Sequence, residues 1–321
     1  MNSRDKLPPG THIRILQSQK TGHAVGCLGL ADALGVEPDV TPVRPGKLFY
    51  LLAPWGPADP AFFSIPRPTA DIVIASGKET VPVLRSIKRR EPRVFTVYLG
   101  DPRTSHELFD LIWTPEHDSV SGSNIIKTLT APHPHSAQAL EQARRNPDTR
   151  MARLPGPRVA CMIGGPSRQF AFGPADVAAT YKAIQNLLEQ GASIMVSPSR
   201  RTPQILTSQI MALAASTPEQ AFVWDGTGDN PYRAMLALAD AFLVTADSTN
   251  MIGEALVTGK PVHVLPLAGK AGKFSHFHAQ LRKLDQIRNW NGTLESWPCT
   301  PVDATAKIAA EIVARYASFR S

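Results

Sequence analysis

The sequence predicts an α/β protein with two doubly wound domains, each built on a parallel sheet covered by helices. Short β-rich apolar runs alternate with helical patterns along the whole chain, which is typical of a parallel sheet wound by helices. This alternation stops and restarts once, between Arg145 and Pro157, where prolines and polar residues replace the periodic segments. The 321 residues are enough for two domains with separate cores, predicted at 1–150 and 151–321.

The first domain starts with an apolar run that reads as a buried strand, and a helical pattern follows it. Its predicted strands are His12 to Leu16, Ala70 to Ser76, Val94 to Leu99, Leu111 to Thr114 and Ile125 to Thr128. Between Val40 and Arg67, prolines and aromatic residues occur without clear periodicity. We therefore expect irregular chain there, with room for one short strand.

The second domain repeats this architecture after the break at Arg145 to Pro157. A strand at Arg158 to Ile163 precedes a helix that ends before Gly191, in the manner of a glycine beyond a helix C-terminus. The remaining predicted strands are Ser193 to Ser197, Ala221 to Trp224, Ala241 to Thr245 and Val262 to Leu265, with helices starting near Pro203, Pro231 and Thr249.

Composition excludes several classes of protein. No segment approaches the roughly twenty apolar residues of a membrane-spanning helix, and prolines follow the first cations where a secretory signal would be apolar. Cys27, Cys161 and Cys299 lack disulfide or zinc spacing, which favours a reducing cytoplasm. The net charge of +7 suits an anionic ligand or surface. Nucleic acid is not expected, because no basic tract is interleaved with aromatic residues.

The segment from Asp247 to Ala255 is the most informative, because a strand there hands over to a helix. Strand carboxyl ends bind ligands in open α/β sheets, and a helix N-terminus offers N–H groups to phosphates. Ser248, Thr249 and Asn250 can cap the helix and also bind a ligand. Glu254 lies about one and a half turns further on, where it could accept both ribose hydroxyls. An ordinary exposed glutamate stays open as the alternative.

Two further strand ends in the second domain carry residues that suit a phosphate. Gly164 and Gly165 allow close approach of the backbone, and Ser167 and Arg168 follow them. The next strand ends in a hydroxyl-rich and basic turn, which includes Ser199 and Arg200. Convergence of three strand ends predicts an anionic nucleotide here.

The first domain supplies the candidate acids and bases. Asp101, Glu116, His117 and His23 follow predicted strands and could face the same ligand. The alternative is that they form turns or carry surface charge. The histidine pairs His133 with His135 and His276 with His278 lack a third ligand at a recognised spacing, so no metal is expected.

Two motifs resemble those of a known superfamily. The string from Asp247 to Pro266 resembles the nucleotide-binding motif of the glycosyltransferase B superfamily, in which an acidic residue holds the ribose. Glu254 occupies that position. Thr21-Gly22-His23 with the apolar residues after it resembles the first turn of MurG-type N-acetylglucosaminyltransferases, in which a histidine faces the acceptor. Gln19 and Lys20 stand here where that turn has more glycines.

Over nearly the whole chain, the sequence resembles the mitochondrial fission Elm family. The segments that carry this resemblance are Lys20 to His23, Tyr98 to Arg103, Trp113 to Asp118, Thr128 to His133, Gly164 to Arg168, Ser197 to Thr202 and Asp247 to Glu254. The resemblance implies twin Rossmann-like domains of glycosyltransferase B type. The family includes bacterial proteins described as nucleoside-diphosphate-sugar epimerases, and its plant members are linked to recruitment of a dynamin-like division protein.

We therefore expect a cytoplasmic protein that binds a nucleotide-sugar, such as a UDP-sugar, as substrate or ligand and needs no cofactor. The first hypothesis is glycosyl transfer, with His23 or Asp101 as the base and Glu116 as a further candidate. Epimerisation is the second hypothesis. The alternative is a non-catalytic adaptor that recruits a division or envelope partner. A protein partner and peripheral contact with the inner membrane stay open.

Overall fold

The computed structural model describes residues 6–19, 21–65, 69–269, 272 and 274–321, and it describes residues 21–23 by their backbone alone. The chain divides into two units. The first contains Met1–Pro134 and Asp303–Ser321, and the second contains His135–Val302. Each unit has a parallel sheet with helices, as the sequence predicts.

The first unit is built on a sheet whose strands all run parallel. Its strands within the described residues are β1 (Ile13–Gln17), β2 (Asp39–Pro42), β3 (Ile72–Ser76), β4 (Phe95–Leu99), β5 (Leu111–Pro115) and β6 (Ile125–Thr128). Its helices there are α1 (Thr21–Ala33), α2 (Lys47–Leu52), α3 (Val81–Arg90) and α11 (Ala304–Arg320). The strand order is β2-β1-β3-β4-β5-β6, so the chain changes direction across the sheet between β1 and β3.

Both faces of this sheet are buried, which explains why its strands are continuous apolar runs. On one face, Ile15 and Ile74 share a core with Leu30 of α1 and Ile312 of α11. On the other face, alternate strand residues such as Val73 pack with α3. The C-terminal helix therefore completes the core of the first unit, although the second unit precedes it in the chain.

The second unit has the same construction. Its strands within the described residues are β7 (Arg158–Ile163), β8 (Ser193–Pro198), β9 (Ala221–Val223), β10 (Ala241–Thr245), β11 (Val262–Leu265) and β12 (Ile287–Asn289). Its helices there are α4 (Ala137–Arg145), α5 (Thr149–Ala152), α6 (Pro174–Glu189), α7 (Gln204–Ser216), α8 (Tyr232–Leu238), α9 (Thr249–Leu256) and α10 (Phe274–Lys283). The strands lie in the order β12-β11-β10-β7-β8-β9, so the switch point is between β7 and β10.

The predicted strands are present, with ends shifted by no more than two residues. Three elements differ from expectation. The segment expected to be irregular after Val40 contains the helix α2, while the end of β2 fits the one short strand allowed there. Helix α1 begins directly at Thr21, where a turn was expected. The short strand β12 was not predicted. No helix of the described residues is long and apolar enough to cross a membrane.

Candidate functional site

The switch point of the second sheet is where the predicted binding segments meet. Ligands of open α/β sheets bind outside the carboxyl ends of the strands at such a point. Gly164 follows β7, and its N–H donates to the hydroxyl of Thr245, the last residue of β10, at 2.8 Å. Ser199 follows β8, and its N–H donates to the carbonyl of Ile163 at 2.8 Å. The three predicted strand ends are therefore neighbours.

Asp247 joins these segments through its buried carboxylate. Oδ2 accepts hydrogen bonds from the N–H of Gly165 at 3.1 Å and from Nη2 of Arg201 at 2.9 Å. Oδ1 accepts the hydroxyl of Thr245 at 2.7 Å. Arg201 also donates from Nη1 to the carbonyls of Gly165 and Pro166. The segments after β7, β8 and β10 thus form one connected network around a carboxylate whose side chain has 0% exposure.

The two glycines after β7 serve this network. A Cβ at Gly164 would overlap the Asp247 carboxylate, and a Cβ at Gly165 would overlap the backbone carbonyl of Arg201. The sequence pattern predicts that both glycines allow the backbone to approach a phosphate closely. In the structure, the groups that lie against them belong to the protein, so glycine is required here before any ligand binds.

The predicted hydroxyls shape the same turns. Ser167 Oγ accepts the N–H groups of Gln169 and Phe170 at 3.3 and 3.2 Å. Ser199 Oγ accepts the N–H of Arg201 at 3.2 Å. These bonds fix the loop backbones, which positions the arginines beside them.

Arg168 and Arg200 are exposed at the ends of these loops. Neither guanidinium has a hydrogen bond or ion pair within the described part of the chain. Arg201, their neighbour, is instead bonded to Asp247. The site therefore presents two cations that are free to pair with an anionic ligand.

Helix α9 starts at this edge of the sheet. Ser248 caps it, because its Oγ accepts the N–H of Met251 at 3.3 Å. Thr249 and Asn250 occupy the first turn, whose other N–H groups have no acceptor within the helix. Thr249 is partly buried and Asn250 is exposed. This helix end can bind an anion.

Glu254 lies further along α9 and is partly buried. Its Oε2 accepts the hydroxyl of Tyr232, the first residue of α8, at 2.5 Å. The same hydroxyl lies 4.0 Å from Sδ of Met162 in β7. For Oε1 of Glu254, no partner is found among the described residues. One carboxylate oxygen is thus held in place, and the other can accept a donor from a ligand.

Burial raises the pKa of Glu254 from 4.5 to about 7, while the hydrogen bond from Tyr232 acts in the opposite direction. The folded state then binds this proton more tightly than the unfolded chain does. The resulting stabilisation is fully present below pH 4.5 and is lost as the pH rises through about 7. The carboxylate therefore changes its charge close to neutral pH.

This titration gives the first prediction. Between pH 4.5 and pH 7.5, we expect the free energy of unfolding of wild type, relative to Glu254→Gln, to fall by about 3 kcal/mol. Urea unfolding at a series of pH values measures it. In Tyr232→Phe, which loses the donor that lowers the pKa, the decline should extend to higher pH. A pH-independent difference between wild type and Glu254→Gln would contradict the raised pKa.

The first unit holds the candidate acids and bases. Asp101 is exposed after β4, where its Oδ1 accepts the N–H of Arg103 at 2.8 Å and lies 3.9 Å from Nε2 of His106. Glu116 is exposed after β5. His23 lies in α1, and its side chain is outside the described residues, as is the whole of Lys20. The predicted roles of these residues stay predictions.

Asp101 does line a cleft of about 330 Å³ at the carboxyl ends of β3 and β4. The cleft also contains Tyr98, Lys78 and the buried Glu79, whose Oε1 accepts the N–H of Gln19 at 3.0 Å. Burial raises the pKa of Tyr98, so its phenol stays neutral. The first unit therefore has a polar recess at its own strand ends.

Sequence reasoning did not single out four residues that the geometry makes important. Asp247 and Arg201 lie inside quoted motifs, but only the structure shows that they bond to each other. Tyr232 sits 22 positions before its partner Glu254, and no spacing rule connects them. Glu79 has a signal that could have found it, because it lies three positions after the end of the buried strand β3.

A family model described as mitochondrial fission ELM1 matches residues 21–316 of this chain. The mitochondrial fission protein ELM1 of Arabidopsis thaliana is 31% identical over 282 residues, an alignment that covers 78% of this chain and 66% of the plant protein. This chain therefore spans slightly less than two thirds of that relative.

Solved structures share the fold. UDP-GlcNAc 2-epimerase from Neisseria meningitidis, solved with UDP-GlcNAc, superposes with a TM-score of 0.53 at 12% identity and covers 96% of this chain and 100% of its own. The glycosyltransferase of kitacinnamycin superposes with a TM-score of 0.52 at 14% identity, and the alignment covers 98% of this chain and 95% of that protein. These similarities confirm the predicted glycosyltransferase B type of fold.

Proposed function

This chain belongs to the mitochondrial fission ELM1 family, and we propose that its second unit binds a nucleoside-diphosphate sugar at the switch point of the sheet. The observation that carries the proposal is Glu254, a partly buried carboxylate that Tyr232 holds by one oxygen only. A carboxylate held in this way beside a helix N-terminus can accept ribose hydroxyls while the helix end binds phosphate.

The diphosphate would lie between the start of α9 and the two unpaired arginines. N–H groups of the first turn of α9 donate to phosphate oxygens, and the helix dipole favours negative charge there. Arg168 and Arg200 add charge-assisted hydrogen bonds. Asp247 does not contact the ligand in this proposal, because its oxygens are bonded to Gly165, Arg201 and Thr245.

A uridine nucleotide is the first candidate for the ligand. The epimerase from Neisseria meningitidis, which shares this fold, was solved with UDP-GlcNAc. We carry this ligand class over as a proposal, since 12% identity supports the fold alone. The site needs a ribose for Glu254 and a diphosphate for the arginines, and UDP-sugars contain both.

The reaction that we propose is glycosyl transfer, with epimerisation of the bound sugar as the second candidate. Asp101 is the described candidate base, because it lines the polar cleft of the first unit. One observation favours the non-catalytic adaptor. Asp101 and Glu116 are exposed, and the Asp101 carboxylate accepts a hydrogen bond within its own turn. Carboxylates in such turns are usually turn formers or surface charges rather than catalytic bases.

The proposal predicts how variants bind UDP and UDP-GlcNAc in calorimetric titrations. Above pH 7, where the carboxylate is ionised, Glu254→Gln should weaken binding of UDP by about ten- to a hundredfold, because a charge-assisted hydrogen bond contributes about 1.5–3 kcal/mol. Arg168→Ala combined with Arg200→Ala should weaken UDP strongly but leave uridine unchanged, since uridine has no phosphate. Glu189→Ala, an exposed glutamate on α6, is the matched control and should bind like wild type.

The outcomes of these experiments distinguish the candidate functions. If wild type binds none of UDP, GDP and their sugars at millimolar concentration, the nucleotide-sugar proposal is wrong; if it binds only the GDP ligands, uridine is the wrong base. If it binds the UDP ligands, NMR of UDP-GlcNAc with the protein distinguishes the reactions, because an epimerase forms a new sugar without an acceptor. Release of UDP that requires an acceptor indicates a transferase. Tight binding without turnover of any offered acceptor supports the adaptor.

A further inference from the structure

An apolar patch lies on the surface of the first unit, on α2 and the loop after it. We define it as Leu48, Leu51, Leu52 and Trp55, with exposures of 63%, 75%, 44% and 66%. None of the residues of α2 is buried. Contiguous exposed apolar residues of this size mark interaction sites in folded proteins. The patch therefore needs a partner that the described chain does not provide.

The charge around the apolar patch is mainly positive. From Val40 to Ala58 the sequence contains no aspartate or glutamate, while Arg44 and Lys47 are exposed. Three further basic residues contact this segment from elsewhere in the chain. They are Lys78, whose Nζ lies 4.1 Å above the Tyr50 ring, Arg85, which donates to the carbonyls of Pro54 and Trp55, and Arg103, whose carbonyl accepts the Trp55 indole N–H at 2.9 Å.

Two carboxylates beside these segments accept backbone hydrogen bonds. Asp59 accepts the N–H of Gly46 at 2.8 Å, and Asp101 accepts the N–H of Arg103 at 2.8 Å. Glu79 is buried. The segments around the patch therefore carry five basic residues, Arg44, Lys47, Lys78, Arg85 and Arg103, against these three carboxylates, of which one is buried.

We propose that the apolar patch docks this protein peripherally on an anionic lipid bilayer. Leucines insert into the boundary between headgroups and acyl chains, and a tryptophan is favoured at that boundary. The surrounding cations bind the anionic headgroups. A second copy of this chain is a poorer occupant, because a two-fold interface would bring Arg44 and Lys47 of each copy against the same cations.

The test is co-sedimentation of the full chain with vesicles. Wild type should bind vesicles of phosphatidylcholine mixed with equal phosphatidylglycerol, and less so as salt rises. The double variant Leu48→Glu with Leu51→Glu should lower the partition coefficient at least about tenfold. Ile205→Glu, an equally exposed residue on α7 with 63% exposure, is the matched control and should bind like wild type.

A second measurement places the contact on the patch. Vesicles should shift the tryptophan fluorescence of wild type to shorter wavelength, and Trp55→Phe should remove that shift while sedimentation persists. The proposal is overturned if wild type binds anionic and neutral vesicles equally weakly, or if both glutamate variants bind alike. It is also overturned if size-exclusion shows a dimer that only the patch variant dissociates, without vesicle binding, because the occupant is then a second copy.

Discussion

Replacing Asp247 by alanine is expected to lower the free energy of unfolding of the second unit by about 2–4 kcal/mol, the cost of leaving two buried donors unpaired. The variant removes an acceptor with 0% side-chain exposure and leaves its donors without a partner. The N–H of Gly165 is buried, so without Asp247 it has no water molecule to replace the lost acceptor. Urea unfolding followed by circular dichroism measures the change.

A surface ion pair supplies the control for Asp247. Glu141 on α4 pairs with Arg144 and Arg145, and its side chain is 50% exposed. Glu141→Ala should change the free energy of unfolding by less than about 1 kcal/mol, because water screens exposed ion pairs. If Asp247→Ala and Glu141→Ala destabilise equally, Asp247 does not hold the strand ends together.

The sequence predicts the interior strands well because of their burial. β3 and β10 are covered on both faces, so almost every residue is apolar and the run stands out from its neighbours. The edge strands β2 and β12 are short and carry polar residues, Asp39 and Arg288 among them. Edge strands need fewer apolar residues, and their sequence signal is correspondingly weak.

The position of α11 could not be predicted for a different reason. Its sequence shows a helix, but only long-range packing decides which sheet it covers. Its tyrosine Tyr316 stacks edge-on against Phe95 of β4, with ring centroids 5.8 Å apart. The N–H of His133 donates to the hydroxyl of Thr305 at 3.0 Å. Contacts across about 170 positions leave no local pattern in the sequence.

The candidate site was predictable as far as its strand ends. Parallel strands place their carboxyl ends along one edge, so Gly164, Ser199 and Ser248 could be expected there from the sequence alone. The direction of each side chain could not. The Asp247 carboxylate bonds to Arg201, and the Glu254 carboxylate bonds to Tyr232. Both contacts depend on how elements that are distant in the sequence pack against each other.

The network also predicts a large effect of adding one methyl group after β7. We expect Gly165→Ala to lower the free energy of unfolding of the second unit by at least about 3 kcal/mol. The new Cβ overlaps the backbone carbonyl of Arg201, which cannot rotate away as a side chain could. Gly173→Ala is the matched control, because its Cβ would lie 4.0 Å from Asp176 Oδ2, an ordinary contact.

Double variants separate the two glycines. A Cβ at Gly164 overlaps the carboxylate of Asp247, whereas the one at Gly165 overlaps backbone. In an Asp247→Ala background, Gly164→Ala should therefore cost less than it does in wild type, and Gly165→Ala should keep most of its effect. Equal coupling for both glycines would contradict this assignment. Because the overlap requires no ligand, the same effects should appear without nucleotide, which makes them independent of the proposed function.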